Sequence, residues 1–349
     1  MMQEYDPAAL QAEYRRLAPG DPRMRAMRAA CAAAERAGDT ENALLFHHDL
    51  IKESVFSGDR YQALVDFPQY LALFKSDPQF AADPGLAAQT LWMFKWIVEA
   101  AAEFHQISKA QVLGWFSEFR RELNRGSWSL KPFYEKRAIF YSFYDTARLR
   151  LDFEDFLRSP HDAMSDGEAD EQDTVVRWGL RLGRRDEAMK AAERIFTKNL
   201  HSDEIPATTC GYLLDDALRR GDSADAAHWA KLLRPCCAGR RMRLEQIGLL
   251  MCYDAVNDPA AGLTFYVQNR HLRRDSRNPF LCFWFDRGAA RLLNAAAGAG
   301  LTMPDEQGSL CTPESLSAQA DRLYADVQAL AEKFDARNGS DFFTQNARE

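Results

Sequence analysis

The side chains able to do chemistry are scattered along this chain. His47-His48-Asp49 places three metal-ligand types in a row. Neighbouring helical residues point about 100° apart, so they cannot converge easily on one ion, and a solvated or partly packed helix face is the expected role. Cys236-Cys237, with His228 before and Cys252 after, holds soft ligands at a spacing that fits no zinc module. Leu214-Asp215-Asp216 lacks the second aspartate-rich element a metal site would need, and reads as a polar helix face before Gly221. There is no phosphate-cradling glycine loop, no G-x-S-x-G elbow and no H-E-x-x-H pair. The expectation is therefore a protein that is not an enzyme, with no catalytic residues, no metal and no cofactor.

Two other patterns could serve recognition. Between residues 219 and 277 stand Arg219, Arg220, Arg234, Arg240, Arg241, Arg243, Arg270, Arg273, Arg274 and Arg277. They could meet an acidic partner by bidentate pairing, or complement helix C-termini, and the second role is favoured. Aromatic residues crowd around Trp92 to Trp96, Trp115-Phe116, Phe133 to Tyr144 and Phe280 to Phe285. Such density is expected chiefly in a core, with the remainder open to a ligand.

Composition narrows the class. The 349 residues carry 44 Lys and Arg against 51 Asp and Glu, a net charge of -7, which disfavours nucleic acid as a partner. No apolar run approaches the roughly 20 residues of a membrane helix. The first residues have neither the basic nor the apolar region of a secretory signal, so a cytoplasmic location is expected. Seven cysteines without C-x-x-C spacing are expected to be buried, reduced thiols.

Apolar positions three and four apart, with few β-branched residues, predict an all-α chain. Helices are expected at 7–17, 22–37, 40–56, 60–75, 85–105, 108–124, 130–150, 152–158, 170–182, 185–198, 204–220, 223–233, 241–256, 258–270, 279–297 and 312–336. Short breakers such as Gly38-Asp39, Gly58-Asp59 and Gly221-Asp222 separate them, Gly closing one helix and Asp capping the next. The expected organisation is a cap at 1–21, a helical-repeat half at 22–158, an acidic loop or hinge at 159–169, a second half at 170–297, a loop and capping helix at 298–337, and a fraying tail at 338–349.

Four turns repeat a Gly-x4-Ala step: Gly38 to Ala43, Gly58 to Ala63, Gly183 to Ala188 and Gly221 to Ala226. The Gly makes the turn and the Ala lets the two helices cross closely. This step resembles the tetratricopeptide repeat, a helix-turn-helix unit of about 34 residues with a small residue in that place. Spacings between equivalent small residues run 47 from Ala63 to Ala110, 38 from Ala188 to Ala226 and 36 from Ala226 to Gly262. The resemblance implies an α-solenoid of antiparallel hairpins wound into a right-handed superhelix. It also implies that the first helix of each hairpin lines a groove, which registers His48, Lys52, Trp92, Lys95, Trp96, Tyr141, Arg148, Arg177 and Arg181 as partner-binding residues. The function this implies is a scaffold or adaptor that binds a protein or peptide. The alternative is a regulator whose superhelix compacts on binding a ligand or peptide.

Overall fold

The computed structural model describes residues 5–57, 60–237 and 239–348. Among them the chain is all-α, an α-solenoid type of arrangement in which helices pack against their neighbours in sequence. The turn expected at Gly58-Asp59 lies outside the described residues. The helices are α1 (Pro7–Arg16), α2 (Asp21–Ala37), α3 (Thr40–Ser57), α4 (Arg60–Ser76), α5 (Pro78–Ala82), α6 (Pro84–Ala102), α7 (Lys109–Arg125), α8 (Lys131–Tyr141) and α9 (Thr146–Arg158). There follow α10 (Glu168–Arg181), α11 (Arg185–Thr197), α12 (Ala207–Arg220), α13 (Ser223–Cys237), α14 (Leu244–Asn257), α15 (Pro259–Arg274), α16 (Pro279–Gly298), α17 (Pro313–Asn338) and α18 (Phe342–Arg348).

One start signal recurs along the chain. Asp6, Asp77, Asp83, Asp258, Asn278 and Thr312 each accept a backbone N–H of the first turn through the side chain, and each is followed by Pro. The cap satisfies an orphan donor, and Pro, which has no N–H to lose, presets the helical φ. At the other end, Gly38, Gly183 and Gly221 adopt positive φ, the left-handed conformation that closes a helix without steric cost.

The chain forms two compact units, Met1–Phe140 with Asp155–Ser165, and Tyr141–Glu154 with Asp166–Glu349. In the first unit α2 packs on α3, α3 on α4, α4 on α6 and α6 on α7. Its core is aromatic: Phe67 meets Phe94 edge-on at 4.9 Å between centroids, and Phe94 stacks on Phe119 at 5.8 Å. In the second unit the first helices of successive hairpins form a continuous row, α10 on α12, α12 on α14 and α14 on α16. The second helices α11, α13 and α15 pair with them in turn.

The Gly-x4-Ala hairpins pack by the close approach their residues permit. Ala43 and Ala188 are fully buried and Ala226 nearly so. A Cβ placed on Gly179 of α10 would stand 3.0 Å from the Cβ of Ala188 on α11. Gly262 of α15 meets Asp254 of α14 in the same way. Ala110 departs from the register, because it is exposed and α7 turns Val112, Phe116, Phe119 and Leu123 inward instead.

Four expectations need correction. The helix expected at 130–150 ends at Tyr141, because the Asp145 carboxylate accepts the Arg148 N–H at 3.0 Å and starts α9 there. The helix expected at 85–105 is preceded by α5 and stops at Ala102. Within 298–312 a two-residue ladder pairs Met303 with Cys311 and buries both against Leu263, Leu293 and Leu316. The tail expected to fray forms α18, held by Phe343, which is fully buried and stacks on Phe334 at 4.4 Å. In the acidic stretch, residues up to Ser165 are tied to the first unit, where Asp162 accepts the Ser129 N–H at 2.6 Å and Met164 is buried.

Candidate functional site

In the second unit a cavity of about 270 Å³ opens on the row of first helices. Arg177, Trp178 and Arg181 reach it from α10, Tyr212, Asp215 and Arg219 from α12, Gln246 and Glu245 from α14, and Trp284 and Arg287 from α16. Phe342 and Asn346 of α18 complete the wall. The site depends on glycine crossings. A Cβ on Gly288 would overlap the Gly248 carbonyl, so α14 and α16 meet backbone to backbone and carry Gln246 and Trp284 to the same wall. Gly211 leaves room for the Gln246 side chain to lie over α12, with its Cγ 3.3 Å from where a Cβ would be.

The cavity is rich in guanidinium groups lying on aromatic rings. Arg177 lies 4.4 Å from the Trp178 ring and 5.3 Å from Tyr212, and Arg181 lies 4.7 Å from Phe342. Arg181 also donates to the Ser142 carbonyl at 3.4 Å. Arg219 bridges Asp215 (2.9 Å) and Asn346 (3.1 Å). Four arginines thus face three carboxylates, Asp215, Asp216 and Glu245. Of these, Asp216 is neutralised from behind by Arg185 at 3.2 Å and Arg220 at 2.9 Å. The electrostatic balance of the wall is cationic. Beside it, burial pushes the Asp173 carboxyl up to about 7, against the opposing hydrogen bonds from Thr209 and Thr208 and the charge of Arg177.

The nine sequence-predicted groove residues divide between the units. In the first, His48 and Trp96 lie 6.4 Å apart, and Phe56 meets Trp96 at 5.3 Å, so these form one aromatic face with exposed Lys52 on α3. Lys95 turns the other way. It is 1% exposed, its Nζ donates to the Met164 carbonyl at 2.9 Å, and it lies 3.4 Å over the Trp92 ring. The Lys95 ammonium therefore satisfies buried backbone, which a groove contact would not do. In the second unit Arg148 donates to the Tyr141 hydroxyl at 3.1 Å, and Tyr141 is buried. Arg177 and Arg181 alone of the nine line the cavity.

Arg287 and Gln246 were not singled out from sequence, and Trp284 stood there only as part of the aromatic run Phe280 to Phe285. The available signal was the Asp286-Arg287 pair, charged residues set between the apolar run Phe280 to Phe285 and the alanine-rich end of α16. The other flagged chemistry disperses. His47 hydrogen-bonds Glu35 at 2.7 Å while His48 contacts Asp49 at 3.3 Å. All seven cysteines are free thiols, and burial pushes those of Cys31, Cys210 and Cys237 up to about 12. Most of the arginines of the basic segment are engaged within the unit. Arg273 pairs bidentately with buried Asp286, Arg234 with buried Asp254 at 2.6 Å, and Arg220 with Asp216, Asp222 and Asp225.

Among the described residues no helix is long and apolar enough to cross a membrane. No protein-family model matches the chain, and no curated protein matches it.

Proposed function

We propose that this chain is a recognition protein, a tetratricopeptide-like repeat wound as a right-handed superhelix, that binds a protein or peptide segment in the cytoplasm as a scaffold or adaptor. The observation that carries this reading is the cavity, which draws residues from the first helix of every hairpin from α10 to α16. A row of first helices offers an incoming segment aromatic surfaces for anchoring and guanidinium groups for its carboxylates and carbonyls. Arg177 and Arg181 are the contacts we assign to this role, with the His48, Lys52 and Trp96 face of the first unit as a further contact surface. A second reading, a ligand-gated regulator, is favoured by the buried polar groups left unpaired in the same cavity.

The test is selection from a peptide display library by the full chain and by an Arg177→Gln, Arg181→Gln double variant. The expected outcome is a convergent motif for the wild type and about a tenfold or greater loss of affinity in the variant, with helical content unchanged. Convergent peptides bound equally by both would remove the cavity from the binding face. No convergence at all would leave the regulator reading in its place.

A further inference from the structure

We propose that the second unit's cavity holds a specific site for a small organic acid with an aromatic body, its carboxylate received by Arg287 and Trp284. This rests on the row of first helices being a recognition surface, and names what one part of it recognises.

Arg287 is 7% exposed, and among the described residues its guanidinium has no hydrogen-bond or ion-pair partner; its Nε is fully enclosed. Other buried cations in this chain are held differently: Lys95 by the Met164 carbonyl and Arg243 by the Asp203 carbonyl. Asp215, a carboxylate that acts on Arg287 electrostatically, is committed to Arg219 at 2.9 Å. Desolvation and the charges of Arg291 and Arg219 lower the Arg287 pKa, opposed by Cys252 and Asp215. A cation left buried and unpaired is destabilising, and a bound anion would offset that cost.

Two more polar atoms of the same wall lack partners. The Trp284 Nε1–H is a donor on the residue whose ring lies 5.5 Å from the Arg287 guanidinium. Gln246, 5% exposed, presents an unpartnered Oε1 acceptor. Arg287, Trp284 and Gln246 thus bring three unpartnered polar side chains to the lining of one space, otherwise walled by Trp178, Tyr212 and Phe280. A planar carboxylate suits a guanidinium with an adjacent N–H, and an aromatic body suits the rings. The volume of about 270 Å³ lies just under the usual range for drug-sized ligands, which selects a one-ring or two-ring acid.

The experiment is titration calorimetry of the full chain with 3-phenylpropionate, its uncharged amide and inorganic phosphate, repeated with Arg287→Met, Arg287→Lys and Trp284→Phe. An acetylated dipeptide with a C-terminal phenylalanine carboxylate distinguishes a peptide end from a free acid as the source. The expected result is saturable binding of the acid at millimolar concentration or below, about tenfold weaker for the amide and for Arg287→Met, with partial recovery in Arg287→Lys. Trp284→Phe keeps the apolar ring and removes only the donor, so it should weaken the acid several-fold even if Arg287→Met fails to fold. Equal binding of acid and amide, binding of phosphate alone, or no heat from the acid would overturn the proposal. Acid binding without selection of any peptide would keep this site while refuting the scaffold reading; peptide selection untouched by Trp284→Phe, with no acid bound, would do the reverse.

Discussion

Asp173 shows how a single residue can couple this fold to pH. Its carboxyl, at 3.8 when free, is pushed up to about 7 by burial despite hydrogen bonds from Thr209 and Thr208. Between those values the unfolded chain has released a proton that the folded chain keeps, so stability falls as pH rises through the window and the full cost stands above it. Asp173→Asn retains an acceptor for the threonines and cannot ionise. Its thermal midpoint, compared with wild type at about pH 5 and about pH 8, should gain on the wild type at the higher pH; an unchanged difference would place the carboxyl in contact with water. Arg177 neighbours this group, and Arg287 stands across the cavity wall unpaired, so the charges that matter most here are defined by their surroundings. Their residue types alone did not distinguish them from the many arginines already paired in the same unit.

Helix pairs in this protein are set by small residues, and they differ in what they tolerate. At the α14–α16 crossing a Cβ on Gly288 would fall on the Gly248 carbonyl, and only movement of a whole helix could relieve it. Gly288→Ala should therefore lose at least about 3 kcal/mol in urea unfolding, at the upper end of overpacking costs. Gly298, at the end of the same helix, has nothing within 4 Å of a Cβ. Gly298→Ala should stay within about 1 kcal/mol of wild type, on the stabilising side, because alanine is the better helix former. Equal effects at the two sites would mean that α14 and α16 do not meet backbone to backbone. The turns of these hairpins were legible in the Gly-x4-Ala steps, and the helix starts in the Asp-Pro and Asn-Pro pairs. The α14–α16 crossing was not, because a glycine pair inside two helices carries no local turn signal. It becomes meaningful only when the helices are brought together.

On the scale of the whole molecule, net charge and the fate of the basic segment point the same way. The chain carries -7 overall, and from Arg219 to Arg274 its arginines are largely spent on Asp215, Asp216, Asp254, Asp286 and backbone carbonyls within the second unit. Retention on heparin or duplex DNA should accordingly be negligible at physiological salt; firm retention with a steep salt dependence would show an unpaired basic face. By itself the sequence determined the all-α class, most helix boundaries and the hairpin turns, because periodicity, caps and glycine chemistry act over a few residues. Its repeat register also named Arg177 and Arg181, two residues that line the cavity of the second unit. Only the tertiary structure decided that Lys95 points inward to the Met164 carbonyl, that the last residues form α18 over Phe343, and that Gln246, Trp284 and Arg287 share one wall. Those outcomes depend on contacts between residues dozens of positions apart, where burial and the supply of hydrogen-bond partners are properties of the packed helices.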